Sequence, residues 1–145
     1  MRSTCLAARG SRRNTQQTMT TIADLERHFL SLCADEEAAI QWCDRPSKAL
    51  AVSDGEFELI CAPRIKSAIS YAVAMHELGQ IKGRYQRSRH QIVRERWAWE
   101  WAKRNAMVWT PRMERYAIAS MHWYLRRRIR QQRRTTTFAP HASAA

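Results

Sequence analysis

At its centre the sequence reads Tyr71-Ala-Val-Ala-Met-His-Glu-Leu-Gly-Gln-Ile-Lys-Gly-Arg84, and this segment determines how the rest of the chain is expected to fold. Apolar residues recur here at helical spacing, which predicts a helix over residues 65–82. Positions i and i+4 of a helix are neighbours on one face, with Cβ atoms about 5–6 Å apart. His76 and Gln80 have this relation, so both side chains are expected to point in one direction.

The residues between them suggest a particular chemistry. In the zincin motif HExxH, both helix positions are His and bind one zinc ion, and the Glu that follows the first His carries protons during hydrolysis. Glu77 has the place of that Glu, and Gln80 has the place of the second His. Gly79 leaves the helix surface bare, where a neighbouring strand or the substrate is expected to approach closely.

A third zinc ligand has to come from another part of the chain. Glu95 is the leading candidate, because the connector after Gln80 can reverse the chain and an antiparallel helix would return Glu95 to the metal. Glu100 is the weaker alternative, since Ala98 and Ala102 place small residues on the Glu95 side of that helix. The expected zinc ligands are therefore His76, Gln80 and Glu95.

Two segments together carry a resemblance to a known family. Met75-His-Glu-Leu-Gly-Gln-Ile81, followed by Glu95-Arg-Trp-Ala98 and Trp101-Ala102, resembles the ImmA/IrrE-type zinc metallopeptidases, which carry an HExxH helix and then an ExxAxxFA segment that supplies the Glu ligand. The resemblance covers roughly residues 50–105. It implies a compact zincin-like α+β fold, an edge strand for substrate around residues 56–61, and cleavage of a protein or peptide, often a repressor from a mobile element or stress operon.

The chain departs from this pattern at Gln80. An amide oxygen is a poorer zinc donor than an imidazole nitrogen, so metal affinity is expected to fall by orders of magnitude. Three interpretations stay open at this point. Gln80 binds zinc weakly through its carbonyl oxygen, or His90 replaces it as a ligand, or the chain is a catalytically silent interaction protein built on the zincin fold.

The surrounding elements follow from local patterns. A helix is expected over residues 20–42, with Thr20 or Thr21 as its cap. Asp54-Gly55 between two apolar runs predicts a hairpin of strands at residues 49–52 and 56–61, the second a half-buried edge strand. Helices are expected over residues 90–108 and from Thr110-Pro111 onward. The predicted fold class is α+β, mostly helical, with a short antiparallel hairpin before the helix that carries His76.

The net charge of +12 is unevenly distributed. Residues 1–18 carry four arginines and residues 126–134 carry six, in both cases without an acid, so residues 19–125 hold a net charge of only +2. Within that body, residues 19–62 are acidic with a net charge of −6, and residues 63–125 are basic with a net charge of +8. Attraction between the two parts is expected to help them pack.

The domain organisation follows from these charge runs. Residues 1–18 are expected to be a disordered basic extension, or to precede a true start at Met19, although an Arg-rich, acid-free segment also has the composition of a transit peptide. Residues 19–133 are expected to form a single zincin-like domain, and residues 134–145 a disordered tail.

Composition also bears on partners and location. No apolar run approaches the roughly 18 residues that a membrane span needs, so no membrane partner is expected. The four cysteines form no CxxC pair and there is no secretory segment, which favours reduced thiols and a cytoplasmic protein. The arginine run at residues 126–134 offers an alternative function, nucleic-acid binding through the basic end of the last helix.

Overall fold

The computed structural model describes residues 19–137. This part of the chain folds as four α-helices and a three-stranded sheet, in the order α1 (Ile22–Asp35), β1 (Ala39–Cys43), β2 (Leu50–Ser53), β3 (Glu58–Pro63), α2 (Ala68–Lys82), α3 (Gln91–Asn105) and α4 (Pro111–Thr137). The predicted α+β class is confirmed. The extension expected at residues 1–18 and the tail beyond residue 137 lie outside the described residues.

Helix α2 is the centre of the fold. It begins at Ala68, three residues later than predicted, because Ser67 caps it and Ser70 completes the capping box. Every residue from 70 to 79 is buried, since the sheet, α1, α3 and α4 all pack against this helix. The segment around His76 is therefore buried on every face of the helix, and its apolar residues do not form a single stripe.

The sheet has the strand order β1-β3-β2. Strands β2 and β3 pair antiparallel, with Ala51 opposite Ile60, which confirms the predicted hairpin. Its turn is closed by the Asp54 carboxylate, which accepts hydrogen bonds from two backbone N–H groups at 3.0 and 2.7 Å. The prediction that the second strand is an edge strand was wrong, because β1 pairs with β3 on the other side. Strand β2 is the antiparallel edge.

The first predicted helix was wrong in its second half. Thr21 caps α1 with a complete capping box, as expected from its position, but the helix ends at Asp35. Glu37 then takes a positive φ of 56°, and residues 39–43 form β1, parallel to β3. No Gly or Pro marks this change of direction, so the apolar residues of β1 look like a continuation of the helix.

The last two helices lie close to their predicted positions. Helix α3 is slightly shorter than the expected range, and α4 begins at Pro111 as predicted. Helix α4 continues through the arginine run to Thr137, four residues beyond the expected boundary at residue 133. Among the helices of residues 19–137, none combines the length and the apolar character that a membrane span requires.

Candidate metal centre

Close packing of α2 against α3 builds the centre. A Cβ atom on Gly79 would lie 2.5 Å from the backbone oxygen of Ala98, a distance that no side chain tolerates. Gly79 therefore allows a neighbouring helix to approach closely, whereas the sequence analysis expected a strand or the substrate at this position. Glu95 lies one turn before Ala98 on the same helix, so this contact brings its carboxylate over the face of α2 that carries His76.

The three predicted ligands converge as expected. His76 Nε2 lies 3.1 Å from Glu95 Oε2, and the Gln80 amide nitrogen lies 3.0 Å from His76 Nε2. The same amide nitrogen lies 3.4 Å from Glu95 Oε2 and 3.5 Å from Glu95 Oε1. An imidazole, an amide and a carboxylate from two helices thus face one point, where a single ion would touch all three.

The hydrogen bonding among these groups is incomplete. When the Gln80 amide donates to His76 Nε2, that nitrogen carries no proton and cannot donate to the Glu95 carboxylate beside it. His76 and Glu95 are only 4% and 5% exposed, so water does little to screen the contact between the nitrogen lone pair and the carboxylate. A cation between the three groups would satisfy the lone pairs that now face each other.

The spacing of the three groups fits zinc. Bonds of about 2.0–2.2 Å at tetrahedral angles place zinc ligand atoms roughly 3.4 Å from one another, and the measured separations run from 3.0 to 3.5 Å. One adjustment is needed, because the Gln80 amide directs its nitrogen toward the other two groups. A half-turn about the terminal torsion, which is soft for Gln, would present the carbonyl oxygen to the ion.

Glu77 is buried beside this triad. Its side chain is 5% exposed, and one carboxylate oxygen has no hydrogen-bond partner among the described residues. Burial, reinforced by the negative charge of Glu95, raises the pKa of Glu77 to about 8. A carboxyl group with a pKa near neutrality can both accept and release a proton, which is the property of a general acid–base group.

Trp99 holds the His76 ring in place. The two rings stack with centroids 4.1 Å apart and an angle of 26° between their planes. His76 Nδ1 is buried without a hydrogen-bond partner among the described residues, whereas a zinc-binding His ordinarily donates this proton to a carboxylate or carbonyl. Stacking on Trp99 therefore orients the imidazole here in place of that hydrogen bond.

Tyr124 of α4 is a member of the centre that the sequence did not reveal. Burial raises the pKa of its hydroxyl, and the nearby negative charge of the Glu95 carboxylate raises it further. No local signal distinguishes it, since the contact depends on how α4 crosses α3.

The two alternative ligands do not join the centre. Glu100 is exposed and lines a different cavity, between α3 and α4. His90 is exposed at the N-terminus of α3, where its backbone N–H donates to the Ser88 hydroxyl. Within residues 19–137, no group of three His, Cys, Asp or Glu side chains could hold a metal ion, so a metal here has to use Gln80.

An open cleft of about 710 Å³ adjoins the centre at Gln80. One wall is the edge strand β2 with its turn, and the opposite wall includes Gln86 and Arg94. The Gln86 side-chain amide donates a hydrogen bond of 2.9 Å to the backbone oxygen of Arg94, and this bond connects the α2–α3 connector to α3. The cleft therefore joins a free strand edge to a ligand position of the triad.

Comparison of the chain with models of known protein families, with curated proteins and with solved structures gives no match. The geometry of the triad, of Glu77 and of the adjoining cleft is therefore the basis for the function proposed below.

Proposed function

We propose that the chain is a zinc-metallopeptidase-like protein of the ImmA/IrrE type, in which His76, Gln80 and Glu95 bind one zinc ion more weakly than a site with two His ligands. The observation that supports this most directly is the convergence of the three side chains at separations of 3.0–3.5 Å. The proposal includes a zincin-like fold and a cytoplasmic location.

The residues of the centre have distinct tasks in this proposal. Bound zinc would supply a Lewis acid that polarises the peptide carbonyl and acidifies water. Glu77 accepts the proton of the attacking water and passes it to the leaving amine. A divalent cation nearby favours the charged form of the carboxyl group, so Glu77 would be ready to act as a base at neutral pH. Trp99 and Tyr124 keep His76 and Glu95 in position.

The substrate in this proposal is an extended segment of a protein, such as a repressor. Strand β2 is bonded to β3 along one edge, and the cleft beside it leads to Gln80. A peptide can add to such an edge through backbone hydrogen bonds, with alternate side chains entering pockets. Addition along β2 would carry a peptide bond toward the triad.

Zinc affinity tests the metal site. The purified protein is titrated with zinc against a chromophoric chelator, beside Gln80→His and Gln80→Leu variants. Gln80→His restores an imidazole donor and is expected to raise affinity by more than the roughly 10–100-fold that an outer-shell partner contributes. Gln80→Leu keeps the approximate shape of the side chain but removes both the amide nitrogen and the amide oxygen. This variant is therefore expected to bind zinc more weakly than the native chain.

These variants separate the alternatives. Equal affinity of the native protein and Gln80→Leu would mean that the amide is not a ligand. Failure of all three proteins to bind zinc, with circular dichroism showing that each is folded, would rule out the metal site altogether.

Proteolysis is tested on the zinc-loaded protein with a library of fluorescence-quenched peptides. Glu77→Gln is expected to abolish cleavage and to leave zinc affinity within a few-fold of the native value, because Glu77 is not a ligand. Cleavage that survives this substitution would contradict the role assigned to Glu77.

A second candidate is a silent interaction protein on the same fold. The Gln80 amide favours it, because its N–H groups reach His76 Nε2 at 3.0 Å and the Glu95 carboxylate at 3.4 Å and so connect α2 to α3 without a metal. This candidate requires a native chain that neither binds zinc nor cleaves peptides, beside a Gln80→His variant that binds one zinc ion.

A further inference from the structure

A second polar cavity lies at the start of α3, and Tyr124 of α4 also lines it. Its volume is about 200 Å³, and Arg89, Arg127 and Arg128 line it. We call these three residues the arginine pocket. The connector contributes the first arginine and α4 contributes the other two, so the pocket exists only because α4 packs across the beginning of α3.

The backbone adds to the positive potential of the arginine pocket. Gln91 and Ile92, the first residues of α3, also line the cavity. N–H groups in the first turn of a helix have no partner within the helix, and the His90 side chain does not cap them. The N-terminus of α3, with its positive end of the helix dipole, therefore lies at the edge of the arginine pocket.

Helix α4 extends this charge beyond the pocket. Residues 126–134 include six arginines, and residues 115–145 contain no acid at all. The side chains at residues 125–133 are all exposed. Nine helical residues span about 12 Å, so the six arginines follow one another at a mean interval of about 2.4 Å along the axis. Duplex DNA carries one negative charge per roughly 1.7 Å of its axis.

We propose that the arginine pocket binds a backbone phosphate of duplex nucleic acid and that the following arginines of α4 contact neighbouring phosphates. The ligand is a polymer of phosphates because the positive charge forms a line along a helix, whereas a single small anion would need only the pocket. This site is separate from the zinc ligands, and the proposal does not depend on them.

An anionic membrane surface is the competing ligand class. Trp123, Leu125 and Ile129 are 43–50% exposed, and apolar residues on a basic helix can enter a lipid interface. However, the Arg127 guanidinium lies over the Trp123 ring, 5.3 Å from its centroid, and the pocket is concave. A concave site lined by three guanidinium groups suits a projecting phosphate better than it suits a bilayer plane.

Binding is measured by fluorescence anisotropy of a short labelled DNA duplex with the full-length protein over a range of NaCl concentrations. The Arg127→Gln/Arg128→Gln variant is expected to bind at least roughly 10-fold more weakly at low salt. The slope of log affinity against log salt should fall by about 0.9, since the pocket holds one phosphate and each lost phosphate contact contributes about 0.9.

The matched control is Arg112→Gln/Arg115→Gln. It removes the same charge from exposed positions in the first turns of the same helix, away from the pocket, and is expected to change duplex affinity less than about twofold. Zinc affinity should stay at the native value in both variants.

Several outcomes would overturn the proposal. One is an equal loss of affinity in both double variants, which would assign binding to net charge alone. Another is displacement of the duplex by inorganic phosphate at constant ionic strength, which would make the pocket a site for a free anion. Tighter binding to phosphatidylserine vesicles than to the duplex would assign α4 to a membrane surface, and absence of duplex binding at low salt would end the proposal.

Discussion

The ionisation of Glu77 should be visible in the stability of the metal-free protein. Its pKa of about 8 lies above its ordinary value of 4.5, so the folded state holds the proton more tightly than the unfolded state. The stabilisation that comes from the protonated Glu77 carboxyl group is therefore fully present below pH 4.5, and it is lost as the pH rises toward 8. Replacing Glu77 with Gln removes this loss. At pH 8 the free energy of unfolding of the variant is therefore expected to exceed that of the native protein by on the order of 4 kcal/mol.

Urea denaturation in the presence of a chelator, at about pH 5 and pH 8, measures this difference. The advantage of Glu77→Gln should be much smaller at the lower pH. Glu56, exposed beside the hairpin turn, provides the control, because Glu56→Gln should change stability little at either pH. An advantage that does not vary with pH would show that Glu77 is not a buried carboxyl group with a raised pKa.

The residues of the centre differ in how far the sequence revealed them. His76 and Gln80 follow from helical spacing, because four residues make about one turn, and Glu77 follows from its place in the HExxH-like motif. Glu95 required a second assumption, that the chain reverses after α2. Tyr124 was missed because its contact with Glu95 depends on the crossing of two helices, and residue periodicity does not determine a crossing angle.

At the level of elements, the contact between α2 and α3 determines the separation of His76 and Glu95. Gly79→Ala would place a methyl group 2.5 Å from a backbone oxygen, so the helices must move apart. A loss of about 1–3 kcal/mol in the free energy of unfolding is expected, as for other overpacked sites. Zinc affinity should fall as well, because Glu95 moves with α3.

Gly55→Ala is the control for this substitution. Gly55 has a φ of 95°, and a Cβ atom added to it would meet no other atom within 4 Å. This change is therefore expected to cost about 1–2 kcal/mol of backbone strain without disturbing α2 or α3. Both variants are compared by chemical denaturation and zinc titration. Unchanged zinc affinity in Gly79→Ala would show that the helix separation does not control the centre.

The elements that the sequence predicted best are those with chemical signals at their ends. Thr21 and Pro111 mark the starts of α1 and α4, whereas α2 was expected three residues too early because its cap, Ser67, was not recognised in the sequence. Strand β1 was missed because α1 ends at Asp35 and Glu36 and Glu37 make the turn that follows, without a Gly or Pro to signal it. The parallel pairing of β1 with β3, which makes β3 central, joins residues far apart in sequence and leaves no local trace.

In the whole molecule, the acidic and basic parts of the sequence meet at a specific ionic contact. Lys82, from the basic part of the body, lies 2.9 Å from Glu58 and 3.2 Å from Glu36, both from the acidic part. The hydrogen bond to Glu58 is the largest cause of the raised pKa of Lys82. One lysine at the end of α2 therefore connects the sheet and α1.

Lys82→Met should weaken this connection and lower stability by about 1 kcal/mol at low salt. The loss should shrink as NaCl rises toward about 1 M, because salt screens partly exposed ion pairs. Denaturation curves of the variant and of Lys48→Met, an exposed lysine in the segment between β1 and β2, give the comparison. A loss independent of salt would assign the effect of Lys82 to packing.

The fit between Gly79 and Ala98 has a consequence for evolution. The steric demand comes from the backbones of two helices, so it persists whether or not a chain keeps its metal-binding side chains. Chains of this fold are therefore expected to keep Gly79 even where the side chains at positions 76, 80 and 95 have changed. A search for chains with the same helix packing should therefore weight Gly79 above the residues at positions 76, 80 and 95.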